Sequence, residues 1–402
     1  MATQSETQTI SSSAQSPAQS PAQSPIPNPD WSGLCPASVA SVDDFRNYAD
    51  KHGYIVPNAP PAGHWDHRVI IKATSNVDTS VPSLKGMICD LGTGKIYAPP
   101  VQVPLDFKTL ELEKIIPQLK AAYTAFDGVL CRLYYFGGQW QLATNSNLRP
   151  YDQPASDMCP KSFGLMFEEC GGNLNAPGLN TAWCYYLMMC HTDHPMVVKY
   201  PENKLILQRI VHTSTLKDVP LEEDSVFEHQ KPLTNGPPES LLQWSIARST
   251  EIVQDAAPVQ PNQVGLVFHL ETAAGPATFR ITTSRYAEAL ALRGNIHNYE
   301  SFRHQWLTIW KREPTQGVLK CGEQATSLIP RVFPWLAEWS QKMEARMSKY
   351  LDDLAFDQAN NTRRTGERSI KLRQELARAG PNTTAFDFLK QQDVARLRYV
   401  LA

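Results

Sequence analysis

The chain has 402 residues, with 38 lysines and arginines against 40 acidic residues and a formal net charge of −2. That length accommodates about two or three domains, and the near-neutral balance excludes a globally basic nucleic-acid binder, leaving only local patches for such a role. The longest apolar runs, such as Trp183 to Cys190, are too short to span a bilayer and the N-terminus lacks a signal-peptide pattern, so no membrane partner and a cytoplasmic location are expected.

Residues 1 to about 30 carry Ala-Gln-Ser-Pro three times, ending at Pro25. Such sequence cannot bury enough apolar area to offset its ordering entropy, which predicts a disordered tail acting as a tether. A folded core is expected from 31 to 290, and a helical domain from 291 to 402. His67 to Lys72 reads as a strand, and Lys85 to Asp90 as a second that turns at Gly92-Thr-Gly94 into Lys95 to Tyr97. Phe107 to Ala122 reads as a helix interrupted by Pro117. Val129 to Phe136 and Gln139 to Thr144 flank Gly137-Gly138, the clearest hairpin signal in the chain.

A helix is predicted near Phe163 to Cys170, then strands over Trp183 to Met189, Met196 to Tyr200 and Leu205 to His212. Two loops enclose a short helix near Ser240 to Ala247. Val264 to Leu270 pairs with Ala277 to Thr282, and the chain turns helical from Ser284. Trp306 with Trp310, and Trp335 with Trp339, are spaced by four, which puts each pair on one helix face as core. The order predicts an α+β protein, antiparallel sheets followed by an α-helical C-terminal domain.

The eight cysteines form no Cys-x-x-Cys pair, which argues against zinc. Several sit in apolar runs as buried thiols of a reducing compartment. His191-Thr-Asp-His194 and His64-Trp-Asp-His67 place imidazoles near carboxylates, but no third cluster accompanies either, so no metal site is expected. No Gly-x-Ser-x-Gly elbow, P-loop or dinucleotide fingerprint occurs.

The order of short motifs is more informative. Lys85-Gly-Met-Ile-Cys-Asp-Leu-Gly-Thr-Gly-Lys95, Phe126-Asp-Gly-Val-Leu-Cys-Arg132, His194-Pro-Met-Val-Val-Lys-Tyr200, Val264-Gly-Leu-Val267, Phe279-Arg-Ile-Thr-Thr-Ser-Arg-Tyr286 and Leu292-Arg-Gly-Asn295 follow one another. This series resembles the ATP-dependent RNA ligases of phage type, and more closely the RNA ligase-like proteins of large DNA viruses. The resemblance implies a nucleotidyltransferase core. In that family a lysine attacks the α-phosphate of ATP, which requires it to be neutral. A glutamate helps hold the metal, and further lysines neutralise phosphate charge in the transition state.

At those positions this chain has other residues. The nucleophilic lysine aligns with Ala125, two motif glutamates with Met188 and Val264, and two lysines with Arg280 and Thr282. Alanine is no nucleophile, and methionine and valine hold no metal, so a degenerate site is expected. The alignment also predicts that Ala125 and Asp127 line a cleft with Met188, Val264 and Arg280 on its other walls. If nucleotide binding survives, the resemblance implies ATP and Mg as cofactors, with Lys85, Asp127, Gly128, Arg132, Lys199 and Arg280 as contacts. The plainer alternative is that these are exposed strand charges, with Asp127-Gly128 an ordinary turn.

Three functions compete. One is a pseudoenzyme with a binding role, its partners RNA or other viral proteins. Another is an active ligase whose nucleophile comes from elsewhere, Lys120 being the nearest upstream lysine. The last is a structural protein of host cytoplasm or virion. Arg363, Arg364, Arg368, Lys371, Arg373 and Arg378 form a basic stretch that suits phosphates or a solvated helix face.

Overall fold

The computed structural model describes residues 41 to 401, apart from 58–66, 75, 79–82, 92, 102–103, 235, 252–262, 274, 295–297, 313–322, 361, 363 and 381–382. The Ala-Gln-Ser-Pro repeats, His64, the Gly92 turn position and Arg363 therefore lie outside the described residues. Ser41 starts helix α1 (Val42–Lys51) through a capping box: its hydroxyl accepts the Asp44 N–H at 3.1 Å, and the Asp44 carboxylate accepts the Ser41 N–H at 3.1 Å. The buried face of α1 lays Phe45 and Ala49 on Val69, Ile71, Met87 and Cys89. The strands beneath are β1 (Tyr54–Ile55), β2 (Arg68–Ile70), β3 (Lys72–Ala73), β4 (Ile88–Asp90) and β5 (Ile96–Ala98). β1 pairs with β3, and β2, β4 and β5 form an antiparallel sheet.

The predicted helix from Phe107 to Ala122 is mostly not one. A short α2 (Leu112–Ile115) gives way to β6 (Leu119–Thr124). Leu119 and Ala122 are buried against Leu242 and the strand Gly265–Thr272, which lies about 140 residues further on by the register Phe268↔Ala122. Tertiary pairing overrides the local helical pattern here. β7 (Val129–Phe136) and β8 (Gln139–Thr144) pair antiparallel as expected, and their turn needs its glycines because Gly137 and Gly138 adopt φ of 61° and 82°.

β9 (Pro154–Ser156), β10 (Cys159–Ser162), α3 (Phe163–Glu169), β11 (Trp183–Cys190), β12 (Lys204–His212) and β13 (Asp218–Val219) follow. β13-β12-β11-β7-β8 is the larger antiparallel sheet. After α4 (Pro238–Thr250) come β14 (Gly265–Thr272) and β15 (Gly275–Thr282), which with β6 make a second sheet in the order β15-β14-β6. Helix α4 seals the outer face of that sheet, with Leu242 among Leu266, Phe268 and Phe279.

Met196 to Tyr200, predicted as a strand, forms none. Its backbone N–H groups are taken by a side chain instead: Asp127 Oδ2 accepts from Val197 at 2.6 Å and from Val198 at 2.9 Å. The C-terminal helices are α5 (Ser284–Arg293), α6 (Tyr299–Arg312), α7 (Glu323–Val332), α8 (Ala337–Asn360), α9 (Ile370–Ala379), α10 (Ala385–Gln391) and α11 (Val394–Leu401). Trp306 and Trp310 are fully buried among them, as their spacing predicts. The helices do not close a core by themselves. Their apolar cluster also contains Ala125, Val197, Val198 and Val264 from the β region. No described helix is long and apolar enough to cross a membrane.

Candidate functional site

The segment from Ala125 to Gly128 carries the chain from β6 in one sheet to β7 in the other. It is the hinge of the β core, and the Ala125 and Asp127 N–H groups and the Asp127 carboxylate are all engaged. The Ala125 N–H donates to Gly265 O at 3.0 Å. The Asp127 N–H donates to the Tyr200 hydroxyl at 2.8 Å, and the Tyr286 hydroxyl donates to Asp127 Oδ1 at 2.8 Å. With the Val197 and Val198 N–H groups, three donors point at one carboxylate. Burial first and the Asp127 charge second raise the Tyr286 hydroxyl pKa, which keeps it a donor. Gly128 is required by close approach: a Cβ there would lie 2.3 Å from Met189 O.

Ala125 and Val264 do come together, but not as walls of a cleft. They are 3% and 1% exposed, inside the core shared with the helices. Met188 is half-buried on β11 between Leu130 and Ile206. The residues present at this junction do not fit Mg and ATP. The Asp127 oxygens are already satisfied by protein donors, and Ala125 and Val264 offer no ligand atom.

The predicted nucleotide contacts are dispersed. Arg132 is fully buried on β7, where its Nη2 donates to Thr144 O while Nε and Nη1 meet no acceptor among the described residues. Its guanidinium packs against Gly86, and burial lowers its pKa. Lys85 is exposed in the turn beside Gly86. Lys199 is exposed in the segment after β11, and its charge reaches Asp193. Arg280 and Thr282 lie on β15 at an open groove against α5 and α6.

A real cleft does exist between the two sheets, further along them. It encloses about 460 Å³. Tyr123 and Lys120 come from β6, Leu130 from β7, Tyr186 from β11, Gln208 and Arg209 from β12, and Val267 and His269 from β14. The Tyr123 and His269 rings lie 4.6 Å apart, centroid to centroid. Burial lowers the pKa of His269, and the Asp218 charge opposes this; burial and then Glu222 raise that of Tyr123. Arg209 is closed onto Asp218 at 2.6 Å and onto Pro100 O at 3.3 Å. Gln208 Nε2 is buried with no acceptor among the described residues. Apart from Lys120, none of these residues is a candidate site residue by sequence, because the cleft draws on seven strands, β6, β7 and β11 to β15, and no short motif marks it.

Glu169, His191 and Asp193 bring three potential metal-ligating atoms within 4.8 Å. The geometry opposes a metal there. His191 Nδ1 accepts the Asp193 N–H at 3.0 Å, so Nε2 carries the proton and donates to Glu169 at 2.7 Å. Lys161 bridges Glu169 at 2.7 Å and Asp193 at 2.9 Å, already supplying a cation; those two hydrogen bonds, Glu169 first, raise its own pKa.

The C-terminal basic stretch is also largely engaged. Arg373 lies 3.4 Å from Asp357, Arg364 stacks 3.3 Å over Phe356, and Arg368 sits 5.7 Å over Tyr399. Burial alone would raise the Asp357 pKa, but hydrogen bonds from Thr362, Thr365 and the Arg364 backbone hold it well below the usual carboxylate range. These cations brace the turn between α8 and α9.

No family model and no curated protein matches the sequence. Among solved structures, the chain is similar to an RNA ligase of Naegleria gruberi, at 14% identity and a TM-score of 0.31 over 48% of this chain. The chain spans about 60% of the length of that ligase. It is also similar to a chain from Aquifex aeolicus assigned to the ATP-dependent DNA ligases, at 10% identity and a TM-score of 0.39, over 80% of this chain and 81% of that one.

Proposed function

We propose that this chain is an RNA ligase-like protein that has lost nucleotidyl transfer and acts by binding RNA. One observation carries the reading. Ala125 and Val264, the positions that the motif series aligns with the attacking lysine and a glutamate, are buried in a hydrophobic core with Phe302, Trp306 and other helical residues. A charged lysine or a metal-binding carboxylate would be costly in that environment. The motif aspartate, Asp127, serves as an anchor for backbone N–H groups and for Tyr286.

Lys120, the competing nucleophile, lines the inter-sheet cleft, whereas Ala125 is buried in the core shared with the helices. At ~3.3 Å per residue the lysine lies roughly 17 Å along the strand from Ala125. Incubation with labelled ATP and Mg should leave no covalent adenylate on the wild type, and none on Ala125→Lys. Adenylate on any lysine of the wild type would overturn the proposal. Transfer by Ala125→Lys would mean that the surrounding machinery is intact.

A further inference from the structure

The inter-sheet cleft and the Arg280 groove share one sheet face. Tyr123, Val267 and Arg280 are direct neighbours across β6, β14 and β15, by the registers Val267↔Tyr123 and Val267↔Arg280. Tyr123 and Val267 line the cleft, whereas Arg280 opens into a groove of about 780 Å³. Two strand spacings, about 10 Å, separate the tyrosine from the arginine.

The cleft suits a planar heterocycle. Tyr123 and His269 supply ring surface, and Leu130, Ile210 and Val267 supply apolar walls. The buried Gln208 Nε2 lacks an acceptor among the described residues, and Glu222 and Glu271 can accept from an exocyclic amine. A polyphosphate does not suit it. With Arg209 engaged by Asp218, Lys120 is the one remaining lining cation among the described residues, against Glu222 and Glu271. Phosphate is better met outside, where Arg280 is exposed and forms no ion pair with a described residue. Beyond it the groove continues past His304, Asn298 and Gln305 to Arg398, whose Nη2 lies 3.1 Å from Glu300.

We infer that the cleft takes one base of a single-stranded RNA, with the adjoining phosphodiester on Arg280 and the strand continuing along the α5–α6 groove. This rests on the RNA-binding reading above and adds to it the site and the form of the ligand: a polynucleotide with its base in the cleft, not free ATP.

The test measures binding of a fluorescent 12-nucleotide single-stranded RNA to the full chain across a salt series. Tyr123→Ala should weaken binding roughly tenfold with an unchanged salt slope, since stacking is not ionic. Arg280→Ala should weaken it and lower the salt slope by about one. Tyr123→Phe and Arg280→Lys should restore most of each loss, and thermal melts of all four variants separate binding from folding. Unlabelled ATP should not displace the RNA. RNA binding unaltered by both alanine variants, or displaced by ATP, overturns the inference while leaving the loss of transfer standing. Adenylation in the separate ATP assay overturns that loss instead.

Discussion

The two ends of the β core use the same sheets for opposite purposes. At the hinge, Ala125 and Val264 are covered by the helical array and Asp127 satisfies three donors. A few residues along the same strands, Tyr123, Val267 and His269 border an open cleft whose wall includes an unmatched amide. The positions that the motif series aligns with transfer chemistry lie at the closed end, whereas the concave polar surface lies at the open end. On the reading proposed above, the site lost its reaction through packing while its scaffold kept a concave polar surface. Fold and function separate at the level of a few side chains.

The largest effect that would break this contrast is at Val264. Val264→Glu buries a carboxylate with no partner and should destabilise by about 4 kcal/mol or more. Denaturant midpoints check this, and a near-neutral result would mean the hinge is open to water. Asp127→Ala should follow at about 3–4 kcal/mol, because it strands the Val197 and Val198 N–H groups and the Tyr286 hydroxyl. Asp127→Asn should cost less, since one amide oxygen can still accept. Equal losses for the two variants would show that charge, not the count of acceptors, sets the anchor.

The hairpins were legible because alternating apolar residues and turn glycines act over a few positions, as in 129–144. The Trp306–Trp310 pair was legible for the same local reason, whereas Trp335 and Trp339, expected as core by the same spacing, are only half-buried because Trp335 lies in a 3-10 turn before α8. Strand β6 was not, because its burial depends on β14 far along the chain. Met196 to Tyr200 had strand composition, but whether its N–H groups meet a strand or Asp127 is a tertiary fact. Helix α1 was missed although Ser41 and Asp44 carry a capping signature. Of the candidate site, the burial of Ala125 and Val264 was not legible, because it depends on helices more than 170 residues beyond Ala125 in the chain. The cleft assembles residues from β6, β7 and β11 to β15, so no local pattern reports it.

A pH series sharpens the contrast from another side. His194 is buried beside Phe163, and burial first, then the His191 and Arg293 charges, depress its pKa from 6.5 to about 4. The folded state therefore holds the neutral imidazole. Between those values the unfolded chain binds more protons, so this contribution is complete above about pH 6.5 and is lost as pH falls toward 4. It amounts to about 3 kcal/mol at most. His194→Gln should flatten that part of the stability curve, measured by urea midpoints from pH 7 to 4.5. An unchanged slope would assign the acid sensitivity to other groups.

The smallest expected change in stability is at Gln208, and its sign is what matters. Its Nε2 is buried with no acceptor among the described residues. Such a group carries a desolvation cost that no hydrogen bond offsets, and an apolar side chain of similar size removes that cost. Gln208→Leu should therefore leave stability unchanged or raise it by up to about 1 kcal/mol. The same variant should weaken RNA binding, because the donor that awaits a base acceptor is gone. A residue that costs stability and supports binding marks a surface kept for a ligand. Loss of stability in Gln208→Leu would instead make the amide part of the packing. The open end of the core would then serve structure just as the hinge does, and the contrast between the two would fail.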